Sequence, residues 1–212
     1  MKAALHAESI GLRRVPAAVV AAASLLLLAG CNKVRPTNMI PLDSAGMHPD
    51  SIEQLQKYQI NDGEIQQVLI AGRAGMSEKG CVELISVARS RHGVFSEGDA
   101  VAGLLNAGMK EASVMELVRL NQLMPFAGEA EAMRLAGISD EVVLDVARHR
   151  AKGDTVLAGA RLAELRDAGF SNAQLAAALD HGMSDKQADE AIARHNYAVG
   201  GHSFVHQYGR RR

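Results

Sequence analysis

The sequence predicts an all-α fold, tandem helix–turn–helix repeats packed as a compact bundle or short superhelix. Three observations lead there. Five glycines, Gly75, Gly108, Gly137, Gly169 and Gly182, are each followed by an apolar residue (Met76, Met109, Ile138, Phe170, Met183) and then by Ser77, Lys110, Ser139, Ser171 or Ser184. Apolar residues recur seven and four positions before each glycine, and six, nine and ten after it, which are helical-face spacings on both sides of a break. The composition suits helices as well: there is no Trp, aromatics make up 3%, and Ala, Leu, Val and Met fill the apolar positions.

Taken in order, residues 1–14 carry Lys2, Arg13 and Arg14 against Glu8, and an uncharged run rich in Ala, Val and Leu extends from Val15 to Leu28. A membrane-spanning helix needs roughly 20 apolar residues, so this shorter run, with Pro16 near its start and small residues after it, reads as a signal peptide over 1–30. It ends in Leu28-Ala29-Gly30-Cys31. That tetrad resembles the signal-peptidase II lipobox of bacterial lipoproteins, a resemblance covering residues 1–31. It implies cleavage after Gly30 and diacylglycerol on the Cys31 thiol, with further acylation of the new amine. Each buried methylene contributes about 0.8 kcal/mol, and two or more chains hold where one does not. The long leader containing Glu8 departs from the usual pattern and hints at a different translation start. In enterobacterial lipoproteins an Asp after the Cys favours inner-membrane retention, so Asn32 leans towards the outer membrane.

Losing Lys2, Arg13, Arg14 and Glu8 with the leader takes the formal charge from −1 to −3. A nucleic-acid binder usually has a basic excess, so no nucleic acid is expected as partner. Cys31 is taken by lipid, which leaves Cys81 unable to form an intrachain disulfide. Residues 31–49, with Pro36, Pro41 and Pro49 and no sustained periodicity, read as a lipidated Cys and flexible tether. Its eighteen residues after Cys31 would reach roughly 60 Å fully extended.

Residues 50–197 should form about ten short helices. In each unit Gly takes the left-handed conformation that ends one helix, the apolar residue tucks under the corner, and Ser caps the next helix for about 1 kcal/mol. Lys110 cannot cap in that way, so its corner should be looser. Gly75 to Gly137 spans 62 residues and Gly108 to Gly169 spans 61, so a two-unit block is duplicated, with Pro125 and Gly128 expected to interrupt a helix near the join. Only 13 residues separate Gly169 from Gly182, so one helix over about 172–181 should serve both corners. Such units bury their faces only against neighbours. Similar Gly–apolar–Ser repeats occur in bacterial envelope proteins, a resemblance over about 62–197 that brings no function with it. Residues 198–212, with Gly200-Gly201 and Arg210-Arg211-Arg212, read as a flexible basic tail that could touch an anionic surface.

Ala71-x-x-x-Gly75-Met76-Ser77 also resembles the DNA-binding helix–turn–helix, which would offer Lys79, Glu83 and Ser86 to bases. Export, negative charge and fivefold repetition oppose it. Ala168-Gly169-Phe170-Ser171 resembles ubiquitin-associated modules, but only the packing analogy applies in a bacterial envelope. Cys81 holds a +6 position that is apolar in the other units, so a buried small hydrophobe is favoured over a reactive thiol. His202 and His206 are four apart but lack a third ligand nearby, and His149 and His195 end helices where a positive side chain suits the dipole. Asp140, Glu141 and Asp185 sit at helix starts, where they suit capping. There is no Gly-x-Ser-x-Gly, His-Glu-x-x-His or phosphate-binding loop.

The expectation is therefore a lipid-anchored envelope protein, lipid-attached at Cys31, facing the periplasm and acting as a helical protein-interaction module. No catalytic residue, metal or cofactor is assigned. The alternatives are an envelope enzyme with an inter-helix site using His149, His181 or His195, or a lipoprotein that braces envelope layers.

Overall fold

At each anticipated corner the chain makes the same pair of backbone bonds. The amide of Gly75 donates to Gly72 O (3.0 Å) and that of Met76 to Ala71 O (3.1 Å), with Gly75 at φ +104°. This is the Schellman closure, which satisfies carbonyls the ending helix leaves free. It recurs at Gly108, Gly137, Gly169 and Gly182. Another instance, absent from the sequence-based set, lies at Gly46: Met47 N–H donates to Leu42 O at 3.1 Å.

The computed structural model describes residues 37–208, all-helical with no strand among them. The helices are α1 Ile40–Ser44, α2 Pro49–Lys57, α3 Asp62–Arg73, α4 Glu78–Ser90, α5 Gly98–Asn106, α6 Glu111–Arg119, α7 Leu123–Leu135, α8 Asp140–Lys152, α9 Gly159–Asp167, α10 Asn172–Asp180 and α11 Asp185–Tyr208. They stack in two layers. The odd-numbered helices pack on one another in sequence order, α1 on α3 and so on to α9 on α11, while α2, α4, α6, α8 and α10 form the second layer. Each hairpin joins the layers, and one continuous apolar core runs between them from Leu42 to Ala188. Among the described residues it is a compact stack of helical hairpins, with α1 at one end and α11 at the other.

The layers sort the corners into two kinds. Gly46, Gly75, Gly108, Gly137 and Gly169 turn the chain from the odd layer to the even one. Gly182 turns it back, so its structural equivalents are Gln59, His92, Asn121 and Gly153, all with positive φ. This corrects the grouping of Gly182 with the other four. Gly46 completes the duplication, since it lies 62 residues before Gly108.

The stretch expected as a tether is folded from Thr37 onward. Thr37 Oγ1 donates to Ile60 O at 2.7 Å, and Leu42 of α1 is fully buried. Pro41 and Pro49 occupy first-turn positions of α1 and α2, where a missing N–H costs nothing. Pro125 likewise sits in the first turn of α7 and Gly128 inside it, so neither interrupts a helix. The longer breaks are the connectors at 91–97 and 153–158. Beyond residue 197, α11 continues through Gly200-Gly201 to Tyr208 rather than giving way to a tail there. Arg210-Arg211-Arg212 and residues 1–36, including Cys31, lie outside the described residues.

Neighbouring hairpins are keyed by a polar ladder. At four of the five odd-to-even corners the N-cap amide donates to the first side chain of the next even helix. His48 N–H bonds Glu78 (3.0 Å), Ser77 N–H bonds Glu111 (3.0 Å), Lys110 N–H bonds Asp140 (2.9 Å) and Ser139 N–H bonds Asn172 (2.9 Å). The Ser51 hydroxyl and the His48 amide hold the Glu78 carboxyl below its ordinary range. Ser77 and Ser171 cap their own helices as expected, whereas Ser139 makes no side-chain cap. The Lys110 corner is not looser: it has the same backbone closure, and Asp140 secures its amide. At the far end Ser171 and Ser184 turn inward to Gln174 and Gln187, and the ladder stops.

Candidate functional site

Where the 91–97 connector meets the α6–α7 turn, the stack opens into an apolar groove of about 320 Å³. Its walls are Val87 and Ala88 of α4, Val94 and Phe95 of the connector, and Met124 and Pro125 of α7. Phe95 is buried, but Val94 and Met124 are 60% and 64% exposed. Singly exposed apolar residues are ordinary; here two of them line one concavity.

A buried ion pair fixes the connector. Glu64 of α3 is inaccessible to solvent, and its two oxygens accept from Arg89 Nη1 and Nη2, both at 2.7 Å. They also accept from the amides of Phe95 and Asn61, both at 3.0 Å. Burial pushes this carboxyl up, but Arg89 and the two amides outweigh it and hold it below the ordinary range. Arg89 reaches on to Gly93 O (2.8 Å) while Glu64 takes the Phe95 amide, so the ion pair as a unit clamps both ends of the Gly93–Phe95 segment that lines the groove. At the rim Arg91 donates to Val118 O (2.8 Å), Arg119 O (2.9 Å) and Asn121 Oδ1 (3.1 Å), covering the negative end of α6.

The groove is not a by-product of the repeat. Sixty-one residues on, the positions of Val87, Ala88, Met124 and Pro125 are held by Arg148, His149, Asp185 and Lys186. The supporting scaffold is retained there: Gly98 N–H donates to Gln67 Oε1 (2.7 Å), and Gly159 N–H donates to Glu129, which is clamped by Arg150 at 2.7 Å. The duplicated blocks thus share a framework and differ in what they present.

Cys81 is 1% exposed, and burial pushes its thiol up to about 12, as befits a small core hydrophobe. Its Sγ lies 3.8 Å from Val68 O. Glu83, offered above as a base-reading residue, is paired with Arg119. Asp140 is an inter-hairpin key and pairs with Arg134 at 3.1 Å, Asp185 lies 3.8 Å from Arg161, and the Glu141 carboxyl is held below its ordinary range by its own backbone amide and Ser139.

The three histidines offered for an enzyme site have separate surroundings. His149 meets Asp154 at 3.0 Å across the end of α8, and the His195 ring lies 5.3 Å from Phe170. His181 lines a depression with Met183, Gln187, Glu190 and Arg194, a set containing neither of the others. Among the described residues no three His, Cys, Asp or Glu side chains gather as a metal site, and no helix is long and apolar enough to cross a membrane. The side chains of His202 and His206 lie outside the described set.

Sequence reasoning placed the interaction surface between hairpins without naming residues. The available signal was the run Gly93-Val94-Phe95 in an irregular connector, together with Met124-Pro125 at a helix start. No protein-family model, curated protein or solved structure matches the chain.

Proposed function

We propose that the chain is a lipid-anchored envelope protein, held through Cys31, whose stacked hairpins bind another envelope protein through the Val94–Met124 groove. The observation that carries the binding half is the groove itself: an apolar concavity clamped by a buried ion pair and present in one block of a duplicated framework. The Leu28-Ala29-Gly30-Cys31 motif supports the anchor, and Asn32 the outer membrane. A partner segment would present an apolar side chain to Val94 and Met124, with a polar flank against Arg91 and Glu97.

Two measurements test this. The intact mass of protein extracted from membranes, beside a Cys31→Ala control, reads the anchor. It should show a chain beginning at residue 31 with acyl chains added. A photocrosslinker at Met124, compared with one at Leu135 on the outside of α7, reads the groove. Crosslinking of one reproducible partner from Met124, lost in Val94→Asp, supports binding there. Equal crosslinking from both positions, or none from either, refutes it.

A further inference from the structure

We propose that the α1 end of the stack, centred on Ile40, is a docking surface for the bilayer interface, so that the protein is held end-on by its lipid rather than standing off on a long leash. This rests on the lipid attachment at Cys31 proposed above. Chain length makes the case. Thr37 is already bonded into the stack through its hydroxyl to Ile60 O, and only residues 32–36 separate it from Cys31 in the chain. Six Cα-to-Cα steps span at most about 20 Å, a third of the reach a tether to residue 49 would have.

The end thus brought to the surface is apolar where it is open. Ile40 is 66% exposed, and it shares a depression of about 350 Å³ with Met39, Pro49 and Ile52. Among the described residues α1 packs only on α2 and α3, and no other described helix covers this face. The ladder cannot continue outward with another copy either, because α2 begins with Pro49, whose side chain has no acceptor to offer a corner amide. The rim carries Asp43 and Glu53, the latter already paired with Lys57 at 2.8 Å. Those carboxylates select a neutral, zwitterionic surface over an anionic one, and Ile40 and Met39 would enter the headgroup–acyl boundary, as apolar interfacial residues do.

The test uses the full mature lipoprotein, purified from membranes and checked for acylation by intact mass. Ile40→Cys and, as a control, Leu135→Cys are labelled with an environment-sensitive fluorophore. Leu135 is 72% exposed and lies in the middle of the stack, and Cys81 is too buried to label. In phosphatidylcholine vesicles the label at residue 40 should shift to the blue and lose about half or more of its intensity to lipids carrying a quencher near the headgroup. The label at residue 135 should do neither. Acylated protein whose residue-40 label resembles the control refutes the docking surface alone. A blue shift without lipid quenching also refutes it, since protein rather than lipid would then cover Ile40. A mass without acyl chains overturns the anchor and this inference with it.

Discussion

Replacing Glu64 with Ala removes the one fully buried carboxylate among the described residues and with it four hydrogen bonds, two from Arg89 and one each from the Phe95 and Asn61 amides. Breaking a buried pair from one side costs about 3–5 kcal/mol, because the remaining charge is stranded. Arg89 is 25% exposed and keeps its bonds to Tyr58 O and Gly93 O, so part of its charge recovers water and the lower end applies, about 3 kcal/mol. The assay is urea unfolding followed by far-UV circular dichroism. The control is Glu53→Ala, which breaks an exposed, solvent-screened pair with Lys57 and should leave the urea midpoint essentially where it was. A double-mutant cycle with Arg89→Ala isolates the pair and should show a coupling of about 2 kcal/mol. If Glu64→Ala costs no more than Glu53→Ala, or if the cycle is additive within about 0.5 kcal/mol, the clamp on the groove connector is not what holds it.

Two glycines should respond in opposite directions to alanine. A Cβ on Gly98 would lie 2.8 Å from Gln67 Cα, so Gly98→Ala must push α5 off α3 and cost about 2–3 kcal/mol, whereas Gly128 has nothing within 4 Å and Gly128→Ala should gain about 0.5–1 kcal/mol. Gln59 is exposed at φ +51°, and Gln59→Gly should raise the urea midpoint by an amount equivalent to about 0.5–1 kcal/mol, with no gain refuting backbone strain there. The Glu64 carboxyl is depressed, and so is that of Glu129, where burial raises it but Arg150 and the Gly159 amide outweigh burial. Both are ionised in folded and unfolded chains above about pH 4.5, where their contribution is complete. It is lost as pH falls below about 4.5 and on through the lower folded-state values, so the urea midpoint should drop on acidification below that pH, and less steeply in Glu64→Gln.

Local chemistry made the fold class and most of the corners legible in the sequence. A glycine between two helical-face patterns has one economical conformation, and the backbone closes the same way whether Ser77 or Lys110 follows. The Gly46 corner escaped because α1 has only five residues, too few to show a helical period, and His48 stands where Ser does elsewhere. Its 62-residue spacing from Gly108 was the signal that could have found it. The prolines at 36, 41 and 49 suggested a tether, since composition alone does not distinguish a first-turn proline from a linker proline.

The sequence by itself determined the helical class, the 61- and 62-residue duplication, the likeness of residues 28–31 to a lipobox and the role of Cys81 as core. These depend on residues close together in the chain or on a pattern that repeats along it. Only the tertiary structure decided which layer each corner faces, that Asp140 and Glu111 key one hairpin to the next, and that Val94 meets Met124 across a groove held by Glu64 and Arg89. Those partners lie 25 to 34 residues apart. A carboxylate at a helix start looks the same in sequence whether it caps its own helix or its neighbour's, and the stacking of hairpins selects between them.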